Sequence, residues 1–284
     1  MKTLILTCIA IIFMAFADYT ESYTLQEALN RNLIDVKINS LGVYQGQSAM
    51  IEVKNKTSKN FIIKIEAGRK LKAREDKYQD LLVVKQEDLI VKSNAKASTK
   101  VVGFCCESND AGPKNNLKYL PNQMADTNLI KLAKYINLNY TQLNTSAVQQ
   151  AIWAISNNHG SAAITVLNEK EMTLKNLVCT IKNEPIPWYI IKQRIYQTTN
   201  GRIHLCNDTL QGKINYTNGA WTYSKLNIYD KEKNAVFISV GSWLKPGSNS
   251  VYDVNLPIKT LPKGKYTLSL ENEQQVFTQR DIEI

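Results

Sequence analysis

Ile34-Asp35-Val36-Lys37-Ile38-Asn39 alternates apolar and polar side chains one for one. That period of two is the pattern of a strand with one buried and one wetted face. Equally short apolar runs follow at Met50-Ile51-Glu52-Val53, Phe61-Ile62-Ile63-Lys64-Ile65, Leu81-Leu82-Val83-Val84, Leu89-Ile90-Val91 and Val101-Val102-Gly103-Phe104. Turn chemistry separates them, at Gly42-Val43-Tyr44-Gln45-Gly46, Asn55-Lys56-Thr57-Ser58 and Ala67-Gly68. Short strands at this spacing predict an antiparallel β-sandwich.

On the N-terminal side, Thr24-Leu25-Gln26-Glu27 has the spacing of a capping box and predicts a short helix through Arg31. Before it, Lys2, the apolar stretch Leu4 to Phe16 and Ala15-Phe16-Ala17 ahead of Asp18 read as a signal peptide over 1–17. The apolar stretch is shorter than the roughly 20 residues a spanning helix needs. The expectation is an exported chain, extracellular, cell-surface or periplasmic, with no transmembrane segment in its mature part. The formal net charge is +10, which permits contact with anionic polymers or envelopes. The lysines are scattered along strand-like runs and no nucleic-acid recognition motif is present, so nucleic-acid binding is not expected.

The pattern changes at Asn109-Asp110-Ala111-Gly112-Pro113. Leu129, Ile130, Ala133 and Ile136 recur at helical spacing behind a capping Asp126. A second helix is expected from Ser146, with Gln149 completing a capping box and Val148, Ala151, Ile152 and Ile155 as its apolar stripe, ending near Asn157-Asn158-His159-Gly160. Strand-like runs resume at Ile164-Thr165-Val166-Leu167 and around Cys179, and the segment 164–208 reads as either the close of the first domain or a connector. From Gly212 the runs Ile214-Asn215-Tyr216, Tyr223 to Asp230, Ala235 to Val240, Ser250 to Val254 and Gly264 to Leu270 are again strands, with a last one near Gln275 to Phe277 or Arg280 to Ile284. The fold class expected is therefore mainly β: an N-terminal antiparallel β-sandwich over 18–208 carrying a helical segment at about 117–160, and a C-terminal module over 209–284.

Cys105, Cys106, Cys179 and Cys206 would lie in an oxidising compartment, where disulfides form. Leu177-Val178-Cys179-Thr180-Ile181 and Arg202-Ile203-His204-Leu205-Cys206 both look like strands. If they are neighbours, a Cys179–Cys206 bridge follows. Cys105 and Cys106 are then free, joined to each other in a strained ring, or otherwise used. His159 and His204 lack metal-ligand spacing partners, and no nucleophile elbow or phosphate loop is present. No cofactor is expected, and the chain is read as non-enzymatic. Glu75-Asp76 and Glu87-Asp88 suit solvated turns, and a hydrolase built on two facing carboxylates stays a third alternative.

Two stretches carry resemblances. Ile228-Tyr229-Asp230, Lys245-Pro246-Gly247 and Leu261-Pro262-Lys263-Gly264-Lys265-Tyr266 resemble the small immunoglobulin-like modules at the C-termini of bacterial secreted proteins, including secretion-sorting modules. Phe104-Cys105 followed by Val148-Gln149-Gln150-Ala151-Ile152-Trp153 resembles the bacterial thioester domains of surface adhesins, with Val148 where that family's motif has Thr. The resemblance implies a thioester between the Cys105 sulfur and the Gln149 carboxamide carbon, and a partner that is a surface protein or polysaccharide. The alternative is a pair of structural or carbohydrate-binding modules without covalent chemistry, which exposed aromatics on a sandwich face would favour.

Overall fold

The structure is a computed structural model and describes residues 21–199 and 201–284. The expected signal peptide at 1–17 lies outside the described residues. The chain is mainly β, with 49% strand and 19% helix. None of its described helices is long and apolar enough to cross a membrane.

The capping box forms as its spacing predicts. Glu27 N donates to Thr24 Oγ1 (3.1 Å) and Thr24 N to Glu27 Oε2 (2.8 Å), so β1 (Glu21–Thr24) turns directly into α1 (Leu25–Asn30). The alternating stretch that follows is β2 (Ile34–Leu41), paired in register with β3 (Gln45–Asn55), Ile38 opposite Ile51. Then come β4 (Phe61–Ile65), β5 (Arg69–Ala73), β6 (Leu81–Val83), β7 (Glu87–Val91), β8 (Lys96–Cys105) and β9 (Asn115–Met124). β9 pairs with both β5 and β2, so the order β2-β3-β8-β6-β5-β9 closes into a barrel, while β1-β4-β7 forms a separate three-stranded layer. Ile38, Ile51, Leu71, Leu81, Val101 and Cys105 meet inside, with Phe61, Ile63 and Val91 of the small sheet and Leu25 of α1 in the same core.

Three helices cover the outer face of β6 and β8. α2 (Thr127–Asn139) starts as expected at Asp126, whose carboxylate accepts from Asn128 N and Leu129 N. α3 (Thr145–Ser156) is capped two residues before the expected Ser146, because Asn144 Oδ1 takes Ala147 N at 2.7 Å. α4 (Glu169–Lys182) is a correction, since Leu177 to Ile181 was expected as a strand. Leu174 and Val178 are a helical i, i+4 pair on its buried face, Asn168 caps its start through Glu171 N, and Asn183 ends it in the left-handed region at φ 54°. A short apolar run does not separate strand from buried helix by period alone. The expected strand at Ile164–Leu167 is likewise absent; the chain there leaves a single 3-10 turn over Ser161–Ala163. The helical layer thus runs from Thr127 to Lys182, against the expected 117–160, whose first residues belong to β9.

The rest of the chain forms the second β unit: β10 (Tyr189–Gln197), β11 (Ile203–Asn218), β12 (Thr222–Tyr229), β13 (Ala235–Ile238), β14 (Ser242–Leu244), β15 (Gly247–Pro257), β16 (Lys265–Glu271) and β17 (Val276–Glu283). β10-β11-β15 is one sheet and β13-β12-β16-β17, with β14 beside β12, is the other. Tyr189, Ile191, Leu210, Ile228, Val254 and Leu268 share the core between them. Residues 189–208 therefore belong with the C-terminal sheets, and a division at 208/209 would cut β11; the change of core falls between α4 and β10. The two candidate final strands are one, since β17 runs through both.

Candidate functional site

The expected constellation centres on the end of β8, and from Val101 onward β8 is buried on both faces. Odd positions Val101 and Cys105 pack into the barrel interior, whereas even positions Val102, Phe104 and Cys106 pack against the helices. This is strand alternation carried into two separate cores. Pairing with the β6 side continues past the strand end, where Cys106 N donates to Asp80 O at 2.9 Å. Gly103 keeps its place because Ser48 Oγ lies 2.5 Å from where a Cβ would stand.

α3 comes down onto this strand end. Its cap is fixed by a buried carboxylate: Glu171 Oε1 accepts Asn144 N at 3.0 Å and the Asn144 amide, and Glu171 Oε2 accepts Leu167 N at 2.6 Å. With Asn144 capping, Gln149 does not fold back as the expected capping box required. It turns toward the sheet, is 2% exposed, and its Nε2 donates to the Cys105 backbone oxygen at 2.8 Å. Gln149 and the cysteine pair, 44 residues apart, are thus in contact through the peptide that joins Cys105 to Cys106. Ser156, at the other end of α3, donates its hydroxyl to Cys106 O at 2.6 Å.

The surroundings are buried and rich in polar groups without a protein partner. Gln149 Oε1, Gln150 Oε1 and Trp153 Nε1 are buried without a hydrogen-bond partner, as are His159 Nδ1 and Ser161 Oγ just beyond the helix. Buried polar atoms are normally paired, and several of the described atoms that find no protein partner gather on this one helix and its exit loop. The loop is held by His159, whose Nε2 lies 2.9 Å from Ser108 Oγ, and by Asn157 Oδ1, which accepts from Ser108 N at 3.0 Å. Burial, with the Lys263 and Lys182 charges adding to it, lowers the His159 pKa from its ordinary value.

Electrostatics at the two thiols differ. Burial raises the Cys105 thiol well above the usual range, with the Cys106 and Glu107 charges acting the same way. Burial and Glu107 also raise Cys106, but there the Lys70 ammonium opposes them. Lys70 Nζ lies 3.1 Å from Asp80 Oδ2 and 3.4 Å from Glu107 Oε1, and Glu107 Oε2 accepts Asp80 N at 2.6 Å. The strand end thus has a partly buried cation between two carboxylates. Burial and the nearby Asp80 charge raise the Glu107 pKa.

The other sequence-selected residues are dispersed. Cys179 is on α4 and Cys206 on β11; both are free thiols, not at disulfide distance, so the expected Cys179–Cys206 bridge does not form. Its premise was two neighbouring strands, and one of them is a helix in another core. His204 is exposed and stacks on the Tyr196 ring, with centroids 6.0 Å apart. Lys70, Asp80, Glu107 and Ser108 were not singled out by the sequence. The charges around Cys-Cys-Glu-Ser were a usable hint, but Lys70 and Asp80 are brought in by barrel pairing alone.

An aromatic surface on the C-terminal unit was also missed at the residue level. Trp243 (64% exposed) stands directly opposite Tyr223 across β12 and β14 with ring centroids 5.6 Å apart, and the exposed Trp221 (65%) precedes β12 by one residue. Gly241 lies under the Tyr223 ring, where a Cβ would collide with Cζ.

Comparison with models of known protein families, with curated proteins and with solved structures gives no match to this chain.

Proposed function

We propose that this chain is an exported surface protein of adhesion type, whose N-terminal unit carries an internal thioester between the strand-end cysteine pair and Gln149. One observation supports this reading above the others. A buried glutamine side chain is held by the backbone of a cysteine 44 residues away, with no protein group paired to its carbonyl oxygen. Placing thiol and carboxamide in contact supplies much of what bond formation needs, since effective molarities for well-oriented groups are worth roughly 7–11 kcal/mol of barrier. The product is an activated acyl group, and an amine on a surface protein or polysaccharide can attack it to leave a covalent amide.

Intact mass tests it. The freshly purified chain is expected about 17 Da below its all-thiol mass, the loss of one ammonia on acyl transfer to sulfur. The deficit should vanish in Gln149→Ala, and methylamine should add at Gln149 in the wild type. A wild-type mass equal to the all-thiol value discards the covalent reading.

A second reading, non-covalent carbohydrate binding, is favoured by the exposed aromatic trio on the C-terminal unit. Flat indole faces stack on the C–H faces of sugar rings, and an exposed apolar cluster needs a purpose. Lys225 and Lys245 neighbour it in sequence, and no Asp or Glu occurs from Gly241 to Tyr252. In gels containing a soluble polysaccharide, the wild type should be retarded, while Trp221→Ala with Trp243→Ala should migrate as in a polysaccharide-free gel. Equal migration of wild type and variant across a neutral and an anionic glycan removes this reading.

A further inference from the structure

We infer that the sulfur joined to Gln149 is that of Cys106, not that of Cys105, which fills the barrel interior; this rests on the thioester reading above.

The side of the sheet decides it. Gln149 descends from α3, whose Val148 and Ile152 belong to the same packed core as Phe104 and Cys106. Cys105 packs into the other core, among Leu81, Val101, Leu117 and Tyr119. A cysteine side chain is one methylene and one sulfur, too short to pass through its own strand. For Cys105 to reach the carboxamide, β8 would have to turn over, breaking Cys105 N to Tyr44 O (3.0 Å) and Cys106 N to Asp80 O (2.9 Å) and carrying Phe104 into the barrel. Cys106 needs no such inversion. It follows directly on the carbonyl that holds Gln149 Nε2, and Ser156 of the same helix binds its own carbonyl.

Charge separates the two thiols only in part: burial, Glu107, Asp80 and Asp126 raise the Cys106 thiol, and the Lys70 ammonium opposes them. Lys70 is not among the groups acting on Cys105. Cys105 is then a small apolar filler, the common role of a buried free cysteine.

The step balances without any further reagent. The Cys106 sulfur attacks Gln149 Cδ, an S–C bond forms and the Cδ–Nε2 bond breaks. The thiol proton leaves on the departing nitrogen as ammonia. No oxidant or reductant is involved. The hydrogen bond from Nε2 to the Cys105 oxygen, which held the amide in place, is released with the ammonia.

The test compares intact masses of full-length Cys105→Ala, Cys106→Ala and Cys106→Ser with the wild type, each checked for folding by circular dichroism. The expected result is a deficit of about 17 Da in the wild type and in Cys105→Ala, with none in either folded Cys106 variant. Fragmentation of the Cys105→Ala protein should then recover the 106–149 cross-linked peptide. A deficit that survives in Cys106→Ala, or that is lost from folded Cys105→Ala, overturns the assignment while leaving the thioester itself standing. If both Cys106 variants fail to fold, loss or retention in Cys105→Ala still decides the matter. A wild type with no deficit brings down the thioester reading, a different outcome from either of these.

Discussion

Replacing Arg69 with Met is expected to cost about 3–5 kcal/mol of stability, the range for breaking a buried ion pair from one side. Arg69 is fully buried at the start of β5, yet it is an arginine with four satisfied contacts. Its Nε and Nη2 form a fork on the Glu66 carboxylate at 2.8 and 2.9 Å, and its Nη1 donates to Asn122 O at 2.6 Å and to Gln26 Oε1 at 3.2 Å. One guanidinium thereby joins α1, the turn between β4 and β5, and the closing strand β9. Met fills the stem volume but leaves the largely buried Glu66 carboxylate and the Asn122 carbonyl without their donor. A lysine in its place would keep the charge but present a point donor where a planar fork is required, so Arg69→Lys should fall between wild type and Arg69→Met. Urea unfolding followed by circular dichroism measures this. A midpoint for Arg69→Met within error of the wild type would mean that the buried fork contributes nothing net.

Trp153→Ala should be comparably severe, about 3–5 kcal/mol, the usual cost of emptying a buried aromatic site. Trp153 is fully buried and lies in α3 four residues after Gln149. Residues at i and i+4 share one helix face, so the void opens beside the carboxamide. His159 N donates to Trp153 O at 3.3 Å and the two rings lie 6.1 Å apart, so the exit loop loses its support as well. A fall in Tm of roughly 10 °C is expected for a unit of this size. The fraction of chains with the ammonia deficit should fall with it, because a small displacement of reacting groups costs far more in rate than in binding. Trp153→Phe retains most of the volume and discards the unpaired indole N–H, and should recover much of both. Unchanged Tm in Trp153→Ala would refute the packing argument.

Much of the fold is legible in the chain because its strands keep strict alternation and its caps keep strict spacing. Thr24 and Glu27 form the box their interval announces, and Asp126 caps α2 where expected. The C-terminal strands follow their apolar runs. Legibility fails where a residue type fits two structures. Leu177-Val178-Cys179-Thr180-Ile181 has no period that separates strand from helix, and its identity is set by Asn168 and Glu171 upstream. The closing of the barrel is invisible locally, since it depends on β9 meeting both β2 and β5. The meeting of residues 105–106 with 149 is legible only as a resemblance. The feature that orients Gln149 is the competition between Asn144 and Ser146 for the cap, which contacts with Glu171 decide. Lys70 and Asp80 could not be placed at the site at all without the register of β5, β6 and β8.

β8 has no wet side from Val101 onward, and this has a consequence for how the molecule opens. Its amides between Val101 and Cys106 are shut between two cores, so solvent can reach them only when the barrel and the helical layer come apart together. Partial opening is the usual route by which segments exchange and are cut, and it is closed here. The N-terminal unit should therefore behave as one cooperative block with its reactive groups sealed inside, and the C-terminal sheets are tied to it where Ala162 packs in their core and Lys175 Nζ reaches Tyr189 O at 3.4 Å. A bond made from buried thiol and buried carboxamide would meet an amine only as that block opens, so methylamine addition at Gln149 should quicken in mild urea.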